Sequence, residues 1–224
     1  DSAYLSSYDA IEVDSDIKKQ ELFGGVRESS GSYPIAEGDD TAGKSYLSYN
    51  MTIGDYSNIK LCTAMQILNN VLFSPVGSVY QALIKAGIAP NMMSSFQDGM
   101  KQPFLTIIAQ NTDEKKKDEF LKIIHNELEK VVKEGVPERA LRAAINSAEF
   151  RYREADYGSF PKGLMLGMMV LDGWLFNEDG AFAYLHGNDL YNELKKEIGT
   201  GYYESVIRDY MLNSKHATVF TMKP

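Results

Sequence analysis

Apolar residues recur along this chain with two periods. Leu47, Tyr49, Met51 and Ile53 alternate with Ser48, Asn50 and Thr52; a period of two marks a half-buried strand from Tyr46 to Ile53. Leu61, Met65, Leu68 and Leu72 then recur at spacings of four, three and four, which predicts an amphipathic helix from about Ile59 to Phe73. Ser74-Pro75-Val76-Gly77 breaks it, and a shorter helix begins at Ser78, a good N-cap, and stops at Gly87. Ile88 to Phe96 and Phe104 to Gln110 read as two strands turning at Asp98-Gly99. Thr112 is expected to cap the next helix, with Asp113 and Glu114 in its first turn and Phe120, Ile124, Leu128 and Val131 as its buried stripe, ended by Gly135. Pro137 opens a helix running to about Glu154. Helical segments follow at about 161–175, 188–198 and 202–212, then a closing strand from His216 to Met222.

Strands paired with neighbouring strands, and helices gathered in blocks, indicate an α+β fold: a two-layer sandwich of a mainly antiparallel sheet covered by helices. Residues 1–40 read as a polar opening segment, rich in Gly, Ser and Asp, with one extended stretch around Glu21 to Val26. No linker interrupts the pattern afterwards, so residues 41–224 are read as a single domain continuous with that segment.

Composition narrows the function classes. Apolar residues make up 44% and charged ones 24% of 224 residues, as in an ordinary globular protein. The net charge of −8 argues against a nucleic-acid partner, because phosphate neutralisation needs clustered Lys and Arg. The run Lys115-Lys116-Lys117 is bracketed by acids and reads as a solvated helix face. No stretch approaches eighteen uninterrupted apolar residues, so no membrane partner is expected. The first residue is Asp and no charged-then-apolar leader precedes it; the chain is expected to be a fragment, with any targeting segment upstream of Asp1. The lone Cys62 falls in the helical pattern with Leu61 and Met65, which favours a buried thiol, a reducing compartment and a cytoplasmic location.

One segment matches a chemical motif letter for letter. Gly38 to Ser45 reads Gly-Asp-Asp-Thr-Ala-Gly-Lys-Ser, a complete phosphate-loop pattern. A working phosphate loop leaves a buried strand and opens a helix, whose free N–H groups hold the phosphates. Here a proline interrupts the segment before it and a strand follows it, and Asp39 and Asp40 would face bound phosphate. The match is read as a polar loop, and no nucleotide or other cofactor is assigned to the chain.

The remaining candidates are weak. His125, His186 and His216 lie 61 and 30 residues apart, so no paired helical histidines can face a zinc ion. His125 reads as a surface residue, His186 as a turn or cap residue, and His216 as a packing or hydrogen-bonding residue. Glu129 with Lys133, and Asp118 with Lys122, have the spacing of exposed helical pairs. Glu149, Arg151, Arg153 and Glu154 fit either a polar network at an interface or, as the default, an exposed helix face. Met165, Met168 and Met169 beside Leu164, Leu166 and Leu171 read as core, with a peptide-contacting surface the lesser alternative. No catalytic, metal-binding or cofactor-binding residue is assigned.

An ordered series of phrases resembles one family. Tyr33-Pro34-Ile35-Ala36 and Lys44-Ser45-Tyr46-Leu47-Ser48 begin it; Tyr80-Gln81-Ala82-Leu83, Ala148-Glu149-Phe150, Arg153-Glu154 and Pro161-Lys162-Gly163-Leu164 continue it. Trp174-Leu175, Leu212 to His216 and Met222-Lys223-Pro224 complete it. Together they resemble the second, non-catalytic domain of presequence-protease-like zinc peptidases of the pitrilysin/insulinase superfamily, from about Ile11 to Pro224. The loop Ser74 to Ser78 and the stretch Tyr202-Tyr203-Glu204 depart from the usual forms, neither at a chemical position.

The resemblance implies four related α/β domains in two halves that close around a chamber, joined by a helical hinge. It implies zinc held by another domain, through an inverted His-x-x-Glu-His motif and a distal glutamate, and a second domain that lines the chamber wall. This chain lacks that motif, so no catalytic position carries over. The implied partners are the catalytic domain of the same polypeptide and unstructured peptide substrates. The parent would be a zinc metalloendopeptidase and this chain alone inactive. A stand-alone inactive partner subunit or binding module of the same fold is the alternative.

Overall fold

Ser45–Thr52 (β2) forms the strand that the period of two predicts and occupies the centre of a five-stranded sheet. The computed structural model describes residues 4–176 and 180–224. The other strands are Gly25–Ser32 (β1), Asn91–Gln97 (β3), Phe104–Thr112 (β4) and His216–Lys223 (β5), in the order β1-β5-β2-β4-β3. Only β1 and β5 pair in parallel; the other three pairings are antiparallel. The sheet is therefore mainly antiparallel, as the sequence predicts.

Leu47 and Met51 of β2, Leu105, Ile107 and Ala109 of β4, and Ala217 and Val219 of β5 point to one face and are buried there. Helices cover that face: Ile59–Phe73 (α1), Ser78–Lys85 (α2), Lys117–Glu134 (α3), Glu138–Glu154 (α4), Gly187–Lys196 (α6) and Tyr202–Val206 (α7), while Lys162–Trp174 (α5) lies apart. The opposite face is polar and half-buried. There Thr106 donates to Asn50 Oδ1 at 2.9 Å, and Asn50 donates to Thr218 Oγ1 at 3.2 Å.

The helical stripes land where their spacing puts them. Leu61, Met65, Leu68 and Leu72 of α1 and Phe120, Ile124, Leu128 and Val131 of α3 are all buried. Each such leucine contributes about 1.5–3 kcal/mol by leaving water. Residues 59–85 together have the mean hydropathy of a membrane span. The turn at 74–77 splits them into two helices, and many of their apolar side chains are core.

Several local expectations need correction. The first strand spans Gly25–Ser32 rather than 21–26, since its register comes from parallel pairing with β5. Asp113, not Thr112, caps the turn before α3 by accepting from Lys115 N, while the Thr112 hydroxyl stays in β4 and donates to the Ile88 carbonyl. That bond also keeps Ile88 in the core ahead of β3, which starts at Asn91. Ser78 is the first residue of α2, whose N-cap is Gly77. The last predicted helix changes at Ile207 into a π-helical turn, Ile207–Leu212. The connection predicted around Asp98-Gly99 runs over 98–103, and in it Asp98 accepts a hydrogen bond from Gln66 of α1.

Candidate functional site

A partly enclosed concave site lies where α1, α5, α6 and the β3–β4 loop converge. It is a cavity of about 230 Å³ lined by Gln66 of α1, Asp98 and Gly99 of the loop, Met169 and Asp172 of α5, and the rings of Tyr152, Tyr184 and Tyr191. A half-buried knot holds one wall. The Tyr152 hydroxyl donates to the Leu185 carbonyl at 2.6 Å and accepts from Gly187 N at 3.0 Å. Only glycine fits at 187, because a Cβ there would stand 2.7–2.9 Å from the Tyr152 ring. Tyr184 donates to the Tyr56 carbonyl at 3.1 Å, and the Tyr56 ring packs 4.8 Å from Phe176 just beyond α5.

Two carboxylates give this cavity its character. Burial raises Asp98 above the ordinary carboxylate value, and the Asp172 charge adds to the shift; burial likewise raises Asp172. Gln66 donates to Asp98. Neither carboxylate has a basic side chain within ion-pair distance among the described residues, and no Lys, Arg or His lines the cavity. Burial, with help from Asp98 and Asp55, pushes the nearby Cys62 thiol up to about 12, so it is an inert buried thiol. The arrangement holds negative charge beside aromatic faces. It offers no activated nucleophile.

The sequence candidates disperse. His125 on α3 is exposed and faces Glu129 at 3.5 Å, in place of the expected Glu129–Lys133 pair. Asp118 lies 3.8 Å from Lys117 rather than pairing with Lys122. His186 sits at the start of α6 without a side-chain cap bond. His216 stacks on Phe23 at 3.8 Å and accepts from its backbone N–H at 3.2 Å; burial holds its pKa below the ordinary value. Zinc, which the resemblance implies for the parent enzyme, does not fit here. The three imidazoles sit on separate elements, and among the described residues no group of three or more His, Cys, Asp or Glu side chains is placed to hold a metal ion.

The phosphate-loop match leads into β2, so its last residue enters a sheet ladder rather than a helix N-terminus. Lys44 pairs with Asp39 at 3.2 Å, and its carbonyl accepts from the Tyr33 hydroxyl at 2.6 Å.

Two default readings change, the first at one residue. Arg151, Arg153 and Glu154 are exposed as the default reading expects, but Glu149 is buried and joins a polar network: it forms an ion pair with Arg153 at 2.6 Å, and Lys195 of α6 donates to its other oxygen. Leu141, Ile145, Glu149 and Tyr152 follow a spacing of four, four and three, so helical phase already places Glu149 on the inward stripe of α4. The Met- and Leu-rich helix α5 is not core. Gly173 is its only buried residue, and the helix packs mainly on the short turn Ala183–Leu185, because the other helices already cover the sheet. Asp98 and Asp172 escaped sequence reasoning; nothing in their local spacing marks residues that meet only across the fold.

Comparison with known proteins bears on the whole chain. The family described as Peptidase M16 inactive domain matches residues 2–148. Protein HypA of Clostridium perfringens is 34% identical over 222 residues, covering 99% of this chain and 23% of that protein. Presequence protease 1, chloroplastic/mitochondrial, of Arabidopsis thaliana is 26% identical over 232 residues, covering 100% of this chain and 21% of that protein. The chain thus spans less than a quarter of the length of the curated relatives it matches. Among solved structures, the inactive peptidase domain of a protein assigned as a zinc protease in Bordetella parapertussis shares the fold, with a TM-score of 0.65 at 13% identity over 83% of this chain and 93% of that one.

Proposed function

The chain belongs to the family of inactive M16 peptidase domains, and from that premise we propose that it is the non-catalytic domain of a zinc metallopeptidase that degrades unstructured peptides. In this reading it packs on a catalytic domain of the same polypeptide, which binds the zinc, and forms part of the wall of the substrate chamber. The carrying observation is the family match over residues 2–148. Relatives more than four times longer support a domain within a larger polypeptide rather than a stand-alone subunit.

The test compares this chain alone with the longer polypeptide that contains it. Zinc content by metal analysis and cleavage of a quenched fluorescent unstructured peptide are measured for both. The expected result is zinc and cleavage in the longer protein only. One zinc per isolated chain surviving dialysis, or a longer protein that holds no zinc and cuts no peptide, would refute the proposal.

A further inference from the structure

The outward face of α5 is apolar and unpartnered. Leu164, Met168, Leu171 and Leu175 follow a spacing of four, three and four, and each is 48–65% exposed. An exposed apolar stripe of this kind marks a surface that something else covers. What flanks it says what kind of occupant fits. Asp172 directly follows Leu171, and its Oδ1 reaches toward Gly99, 3.7 Å from where a Cβ would stand there, so the cavity holding Asp98 opens beside the stripe. Asp55, Glu149 and Glu197 each have a lysine partner, whereas Asp98 and Asp172 line one cavity, close enough to repel, with no such partner among the described residues. The tyrosine rings of the cavity add faces that attract a cation.

We propose that the outward face of α5 and the acidic cavity beside it dock an extended peptide segment, whose apolar side chains lie on the stripe and whose lysine or arginine side chain enters between Asp98 and Asp172. The proposal rests on the chamber-wall reading and gives it a substrate preference. The stripe supplies apolar contact, and the carboxylates select for a positive charge at one position along the peptide. A segment with a neutral or acidic residue there leaves the carboxylates unneutralised and binds less tightly.

The test uses two short fluorescein-labelled unstructured peptides containing leucine and phenylalanine, identical except for a central arginine in one and glutamine in the other. Their affinities for the longer protein, with cleavage blocked by zinc removal, are read by fluorescence anisotropy. The arginine peptide is expected to bind about fivefold more tightly, as for a partly exposed ion pair. The Asp98→Asn/Asp172→Asn variant is expected to abolish that difference, and Leu171→Ser to weaken both peptides alike. If the double variant misfolds, Asp172→Asn alone, at an exposed position, must still shrink the preference. Equal affinities for the starting protein, or a preference that survives the asparagine variants, would overturn the proposal. So would a Leu171→Ser variant that releases the catalytic domain and leaves peptide affinity unchanged, since the stripe would then be a domain interface. Cleavage by the zinc-loaded protein tests the chamber-wall reading separately.

Discussion

Replacing Glu149 by glutamine keeps the side-chain volume and removes one buried charge. The carboxylate is 10% exposed; it accepts from Lys195, whose side chain is 32% exposed, and pairs ionically with Arg153, whose side chain is 57% exposed. A charge-assisted hydrogen bond in a dry interior contributes about 1.5–3 kcal/mol, and a solvated ion pair about 0.2–1 kcal/mol. Lys195, one-third exposed, sits between these limits, and Arg153 near the lower one. The amide of glutamine also turns a donor toward one of the two cations. The sum is a loss of about 2 kcal/mol, or roughly 4–8 °C in Tm for a domain of this size. Thermal unfolding followed by circular dichroism at neutral pH and low salt measures it. The pH dependence tests the cause. The Lys195 hydrogen bond and charge, with Arg153, hold Glu149 below its ordinary value of 4.5. A carboxylate of lowered pKa stabilises the fold fully above that value and loses its contribution as pH falls through the folded one. The gap between the two proteins must therefore narrow below pH 4.5. A shift under about 1 °C at neutral pH, or a gap that persists in acid, would show that the network does not work this way.

Asp98 has the opposite sign: burial raises its folded pKa above 3.8, so its charge disfavours the fold once pH rises past that value. Asp98→Asn, which can still accept from Gln66, should raise the urea midpoint at pH 7 and leave it unchanged at pH 3. Gly187→Ala drives a methyl against the Tyr152 ring and should lower stability by about 1–3 kcal/mol by urea unfolding; an unchanged midpoint would mean that the wall between α4 and α6 yields freely. Lys44→Ala removes a solvated pair with Asp39 and should alter stability by less than about 0.5 kcal/mol. Equilibrium dialysis should find no ATP bound before or after that change, and binding that Lys44→Ala abolishes would restore the phosphate loop.

Much of the fold is legible in the chain because period reports local geometry. Alternation along β2 and the 3.6-residue stripes of α1 and α3 each say which side turns inward, and those sides are buried. The polar edge strand β1 is harder to place, since its register comes from a partner nearly two hundred residues away. Glu149 was within reach, because its helical phase outweighs its charge once Lys195 and Arg153 are near enough to pair with it. The candidate cavity was not. Asp98, Asp172 and the tyrosines come from separate segments and meet only through packing.

The limit is clearest in two helices. Leu61, Met65, Leu68 and Leu72 have the same residue types at the same spacings as Leu164, Met168, Leu171 and Leu175. The first set lies in the core, and the second faces outward. The amino-acid sequence determines that each forms an apolar stripe, because side-chain direction repeats every 3.6 residues whatever the surroundings. What covers the stripe is decided by tertiary structure: a sheet has one face to offer, and the helices that reach it leave α5 with its hydrophobic surface unspent.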